Sequence, residues 1–279
     1  QEMKTILYAT DLAEQSVSTL RYAHDLSNSM GANLIVFHSY DVPPIRAAVL
    51  RPYEQIEYHI IEEQKEVVKS FCINHLGDDI DLEKLKIVVV CNDSVLNGII
   101  EISKELEPDL VLIGRKDKHT ERGMFAGDIG QGVLKRLTCQ IMIVPSHPNG
   151  SLLKNILYAT DFEEADISAV ENLIPIAAKV NAKIHFVHVT TEKQYKGTDQ
   201  MEWFKEMLTQ RVDYKNLEFK VIFSENIEEK LKGYSELIHA DLVALLYREE
   251  KGFFQNLFNK SLVKKLDNQI DIPLLSFTK

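Results

Sequence analysis

The sequence predicts a parallel α/β fold built twice, and three observations carry that reading. Short β-branched runs alternate with longer stretches of helical periodicity, the signature of a parallel sheet whose strands are joined by crossover helices. Two of the runs, Ile87 to Val90 and Leu110 to Ile113, are apolar without interruption, as strands covered on both faces have to be. The third observation is self-similarity: Ile6-Leu7-Tyr8-Ala9-Thr10-Asp11 returns letter for letter, 150 residues later, as Ile156-Leu157-Tyr158-Ala159-Thr160-Asp161. A return of that length marks a duplicated unit.

In the first unit strands are expected near 4–9, 33–38, 85–90, 109–114 and 141–144, with helices near 14–30, 51–76, 94–106 and 128–137. Leu20, Ala23, Leu26 and Met30 recur at helical spacing and give the first helix one apolar face. Pro43-Pro44 interrupts the chain before a long helix, on which Ile56, Ile60, Ile61, Val67, Val68 and Phe71 suit packing over the sheet while Tyr53 and Tyr58 stay partly exposed. In the second unit strands are expected near 154–159, 183–189, 218–223, 241–246 and 273–277, and helices near 163–180, 198–212, 226–239 and 254–268. Met201, Trp203, Phe204 and Met207 on its second helix read as core rather than as a partner surface. Two further echoes keep the same order: Leu34 to His38 with Ile184 to His188, and Asp109 to Ile113 with Asp241 to Leu245. Ser146-His147-Pro148-Asn149-Gly150 is rich in residues that break regular structure, so the domains are read as 1–146 and 151–279.

A chain of 279 residues is nearly twice a common domain of about 150, in keeping with two units. With 45% hydrophobic and 27% charged residues it has the composition of an ordinary globular protein. The apolar runs are far shorter than the roughly 20 residues of a membrane span. No export signal is read near Gln1, and a cytoplasmic location is expected. Cys72, Cys91 and Cys139 are odd in number and widely spaced, which argues against a disulfide framework or a zinc site. A formal charge of −10 leaves no general nucleic-acid footprint.

In an open parallel sheet, ligands bind beyond the carboxyl ends of the strands. At the first such end stand Thr10-Asp11, repeated as Thr160-Asp161; a carboxylate there can cap the following helix or accept hydrogen bonds from a ribose or an amide. At another, Gly114-Arg115-Lys116-Asp117 leads to Gly123, Gly127, Gly130 and Gly132 ahead of a helix, a loop that exposes backbone amides to an anion. His38 and His188 end the second strand of each unit, where a satisfied structural histidine is a better reading than a metal ligand. No catalytic constellation and no metal cluster can be assembled from spacing.

These residues together resemble the universal stress protein family, with the whole chain as a tandem member: the strand-ending aspartate is present twice, as Asp11 and Asp161, and Asp109-Leu110-Val111-Leu112-Ile113-Gly114 precedes a loop and helix of fitting length. The resemblance implies two Rossmann-like, adenine nucleotide alpha hydrolase-like, three-layer domains, each with a five-stranded parallel sheet, and pairing through the last strand. It also implies that some members bind ATP through Gly, two residues, Gly, nine residues, then Gly and Ser or Thr, while others lack the motif and do not. The first half of this chain has Gly114, Asp117, Gly127 and Asp128 at those places: the spacing is kept, but a glycine and the hydroxyl have become carboxylates. Two anions beside a triphosphate in a partly desolvated site repel it. The second half has Leu246 or Tyr247, then Glu249 or Glu250, then Lys260-Ser261, in a basic neighbourhood of Arg248, Lys251, Lys264 and Lys265 whose lysines read first as a solvated helix face.

The expected function is accordingly that of a cytoplasmic stress-response binding or regulatory module with a degenerate ATP motif, no robust ATP binding, no resident cofactor and no turnover. The alternative is an ATP- or AMP-binding stress sensor with at most slow hydrolysis, its candidate nucleotide pockets formed by Thr10, Asp11, Gly114, Gly127 and Gly130 and by Thr160, Asp161, Val189 and Ser261. Internal pairing of Ile141 to Val144 against Leu274 to Phe277 is expected, since a short edge strand is otherwise left open; a homodimer and an unidentified protein partner are the other expected associations, with neither nucleic acid nor membrane.

Overall fold

Continuous apolar runs become the strands of a parallel sheet because both of their faces must be covered, and the covering helices supply the crossovers that parallel pairing needs. The computed structural model describes residues 3–41, 53–77, 80–81, 83–115, 128–148, 150, 152–191, 198–247 and 270–278. In the first repeat the order is β1 (Thr5–Ala9), a 3-10 turn (Glu14–Ser16), α1 (Val17–Met30), β2 (Asn33–Tyr40), α2 (Tyr53–Leu76), β3 (Leu85–Cys91), α3 (Val95–Leu106), β4 (Leu110–Gly114), α4 (Asp128–Arg136) and β5 (Gln140–Val144). The second repeat runs β6 (Asn155–Ala159), α5 (Glu164–Val180), β7 (Lys183–Thr190), α6 (Thr198–Arg211), β8 (Leu217–Phe223), α7 (Ile227–Leu237), β9 (Leu242–Leu246) and β10 (Leu274–Phe277). The helix expected near 254–268 lies outside the described residues.

Contacts divide the chain into two compact units, one holding Lys4–Cys139 with Pro145–His147, the other Gln140–Val144 with Pro148–Lys279 and Gln1–Met3. In the first, β1 lies between β2 and β4 and β2 pairs β3, all parallel. In the second, β6 lies between β7 and β9, β7 pairs β8 and β9 pairs β10, again parallel. β10 also pairs β5 in antiparallel fashion, with Leu274 opposite Ile143, Leu275 opposite Met142 and Ser276 opposite Ile141.

The repeats share their local devices. α1 closes on Gly31 at φ 68° and α5 on Asn181 at φ 54°, the left-handed residue that lets the following amides turn back on the last carbonyls. Asp109 and Asp241, the heads of the echoed runs, act across the sheet: Asp109 Oδ2 accepts from the backbone N–H of Lys4 (2.8 Å) and Thr5 (2.9 Å), and Asp241 Oδ2 from Lys154 (2.7 Å) and Asn155 (2.9 Å). Each carboxylate thus fixes the entry of the repeat's first strand to its fourth.

On α2, Val68 is fully buried but Val67 is 50% exposed, which corrects the expectation that both pack over the sheet. Neighbours on a helix point about 100° apart, so only one of the two can face the strands. On α6, Phe204 is buried as expected of core, whereas Trp203 is 39% exposed for the same reason.

Candidate functional site

The carboxyl ends of the first two strands are tied together in the same way in both repeats. Thr10 N–H donates to Phe37 O at 2.9 Å and His38 Nδ1 lies 2.9 Å from Thr10 O. In the second repeat Thr160 N–H donates to Val187 O at 3.0 Å and His188 Nδ1 lies 2.8 Å from Thr160 O. A carbonyl only accepts, so each Nδ1 is the donor of this bond. The histidines tie the strand ends together; the described residues contain no group of three or more potential metal ligands.

Each threonine then sets the turn out of the strand. Thr10 Oγ1 accepts from Leu12 N–H (3.1 Å) and Thr160 Oγ1 from Phe162 N–H (2.8 Å). The turn places Leu12 at φ 60° and Phe162 at φ 56°, a left-handed conformation that bulky side chains adopt only when their surroundings enforce it.

Beyond this point the two repeats diverge. Asp11 Oδ1 accepts from Ala13 N–H at 3.0 Å and from the Ser16 hydroxyl, so it organises the 3-10 turn and is not itself the cap of α1, whose N-cap is Ser16. In the second repeat the position of Ser16 is taken by Asp166, buried to 1% exposure. Its carboxylate accepts from Tyr158 Oη (3.1 Å), Thr160 Oγ1 (3.0 Å), Asp161 N–H (3.1 Å) and Glu163 N–H (3.4 Å). The N-cap of α5 is Glu163, not Asp161. Asp161 instead lies inward, 6% exposed, with Oδ1 3.8 Å from His188 Nδ1.

The residue that follows Asp161 is buried among aromatic rings. Phe162, 1% exposed, packs against the His188 ring and against Phe204 of α6, each at 5.3 Å between centroids, and Phe204 continues into Phe186. Gln200, in the first turn of α6, donates from Nε2 to Asp161 O at 2.9 Å. Val189, one of the candidate pocket residues, is 2% exposed. Burial lowers the pKa of His188 and outweighs the opposing pull of the Thr160 carbonyl and of Asp166 and Glu163. In the first repeat the equivalent Asp11, Leu12, His38 and Ser39 are only half-buried.

Gly114 closes β4, and a Cβ there would stand 3.1 Å from Thr19 Oγ1 of α1; the glycine is explained by helix-to-strand packing alone. Gly130 lies half-buried near the start of α4. Asp117, Gly127 and Ser261, with Arg248, Glu249, Glu250, Lys251 and Lys260, lie outside the described residues; of the candidate positions the structure describes Thr10, Asp11, Gly114 and Gly130 in the first repeat and Thr160, Asp161 and Val189 in the second. Sequence reasoning missed Asp166, Phe162 and Gln200 and placed Phe204 in the core without connecting it to Phe162; the visible signal was the change from Ser16 to Asp166 within an otherwise faithful repeat.

Both repeats set a strand-end turn at the carboxyl edge of a parallel sheet, where α/β folds of this kind hold their ligands. The sequence profile described as Universal stress protein family matches residues 2–145, and the chain belongs to that family. Among solved structures it is similar to a universal stress protein from Archaeoglobus fulgidus DSM 4304, at 18% identity and a TM-score of 0.67, covering 99% of this chain and 96% of that one. A putative universal stress protein from Pseudomonas aeruginosa UCBPP-PA14 gives 11% identity and a TM-score of 0.61 over 99% and 93%. The cytoplasmic domain of a prokaryotic cation chloride cotransporter gives 11% identity and a TM-score of 0.53 over 99% and 95%. No curated protein matches the chain. No helix among the described residues is long and apolar enough to cross a membrane.

Proposed function

We propose that this chain is a tandem universal stress protein of the cytoplasm that works by binding and regulation, without robust ATP binding and without turning over a substrate. The observation that supports this most is the occupied second crevice, in which Phe162, wedged between His188 and Phe204 and locked by the bond from Gln200 to Asp161, stands where a ligand would lie. In the first repeat the obstacle is one of charge, since Asp117 and Asp128 take the glycine and hydroxyl places of the motif. Two different obstacles for two pockets argue against a conserved demand for nucleotide. The repeats 1–146 and 151–279 are read as the two domains. The β5–β10 ladder supports internal pairing through the last strands, leaving other surfaces for a homodimer or a protein partner.

The second reading, an ATP- or AMP-binding sensor, is favoured by the half-buried first crevice, where Thr10, Asp11 and Gly114 remain in family-like places with Gly127 and Gly130. It would be a sensor with one site, since Thr160, Asp161, Val189 and Ser261 would need Phe162 to leave. Purified protein, denatured and filtered, separates the readings: the binding module releases no adenine nucleotide into the filtrate, whereas a stoichiometric amount would establish the sensor.

A further inference from the structure

Midway along β7 the second repeat carries a polar group where its sister carries hydrocarbon. His185 is 5% exposed, and neither ring nitrogen has a hydrogen-bond partner. Its Nδ1 lies 3.6 Å from Glu218 Oε2, directly across the β7–β8 ladder. Its ring meets Tyr234 of α7 nearly edge-on, 6.3 Å between centroids. Glu218 is already claimed by Lys183, with Nζ 2.5 Å from the same oxygen.

In the first repeat the equivalent ladder position pairs Ile35 with Lys86. The N-caps Ser94 and Asn226, which accept from the N–H three residues on, align α3 with α7 and make Ile102 the counterpart of Tyr234. Ile35 and Ile102 are both buried. The same architecture is therefore built once without this cluster, so the fold itself does not demand it. An imidazole buried with two unsatisfied nitrogens is a costly filler where an isoleucine fits.

We propose that His185, Glu218, Lys183 and Tyr234 form an acid-responsive latch, in which the neutral imidazole packs beneath α7 and its protonation loosens that helix from β7 and β8. The groups facing His185 are Lys183 from its own strand, Glu218 from β8 and Tyr234 from α7, while β6 presents Leu157 at the matching register. The new cation would find its one carboxylate already paired and a second cation beside it. Burial is the main cause that lowers the pKa of His185 from 6.5; Glu218 raises it and Lys183 lowers it further. A lowered folded pKa means the packing is intact above 6.5 and is lost as pH falls through the folded value.

The test is hydrogen exchange of the full chain, wild type beside His185→Ile, the sister repeat's own residue, at pH 7.5 and pH 5.5. Comparing the two proteins at one pH removes the intrinsic pH dependence of exchange. The ratio of α7 exchange in wild type to that in the variant should rise on acidification, by up to about tenfold, the limit set by pH 5.5 lying one unit below 6.5. An unchanged ratio overturns the latch. Should the variant fail to fold, titration of the His185 ring in wild type by NMR decides: a midpoint below 6.5 is expected, and one at or above 6.5 refutes the proposal.

Discussion

Asp109 and Asp241 each serve two backbone N–H groups with a single carboxylate oxygen. Charge-assisted bonds of this kind are the stronger ones, so Asp109→Ala should lower stability by about 2 kcal/mol and Asp109→Asn by less, read as a shift in urea midpoint. Thr160 is the other small residue with two duties, accepting from Phe162 N–H and donating to Asp166. Thr160→Val keeps the shape, removes both bonds in a fully buried site and should cost about 1–3 kcal/mol. The echoes made all of these positions visible in the sequence. Their roles were not visible, because the hydrogen bonds of Asp109 and Asp241 reach across 105 and 86 residues of sequence and no local pattern encodes them. The left-handed turn at Leu12 and Phe162 was hidden for a related reason: it is imposed by the threonine hydroxyl and the strand-end histidine, against the preference of the residues that adopt it.

At the scale of elements, Gly132 marks a close approach of α4 to α3. A Cβ there would collide with the Leu96 side chain of α3, coming within 3.0 Å of Cδ1 and nearer to Cδ2. Gly132→Ala should change stability by less than about 1 kcal/mol, because the gain in helix propensity is offset by displacing the half-exposed Leu96 side chain, and it should turn stabilising in a Leu96→Ala background, a coupling that a double-mutant cycle measures. Strands were the most legible elements, since a fully buried strand must be an apolar run and few other structures need one. Helix starts were less legible. The first helix, expected from residue 14, opens with a 3-10 turn because the Asp11 carboxylate binds Ala13 N–H and the Ser16 hydroxyl. In the second repeat Asp166 faces back to the strand end, and the α-helix begins at Glu164.

Across the whole molecule, duplication was the clearest message of the sequence and divergence the least clear. The two repeats keep the strand-end ties, the aspartate staples and the helix closures, and differ where a ligand would sit and beneath α7. Both buried histidines of the second repeat, His185 and His188, have pKa values lowered chiefly by burial. Their sign is the same, so urea stability should be steady above pH 6.5 and fall progressively below it as each is protonated; a chain equally stable at pH 5 and pH 7.5 would contradict this. The change from Ser16 to Asp166 was readable in the sequence, whereas the meeting of Phe162 with Phe204 and of Gln200 with Asp161 was not, because these residues come together only in three dimensions.

Calorimetric titration with ATP and magnesium, run on the parent chain beside Asp117→Gly/Asp128→Ser, addresses the functional reading most directly. The parent should give weak or no binding, and the double variant should gain a single site per chain, with the second crevice still closed by Phe162. Tight binding by the parent, abolished by Asp11→Ala, would contradict it.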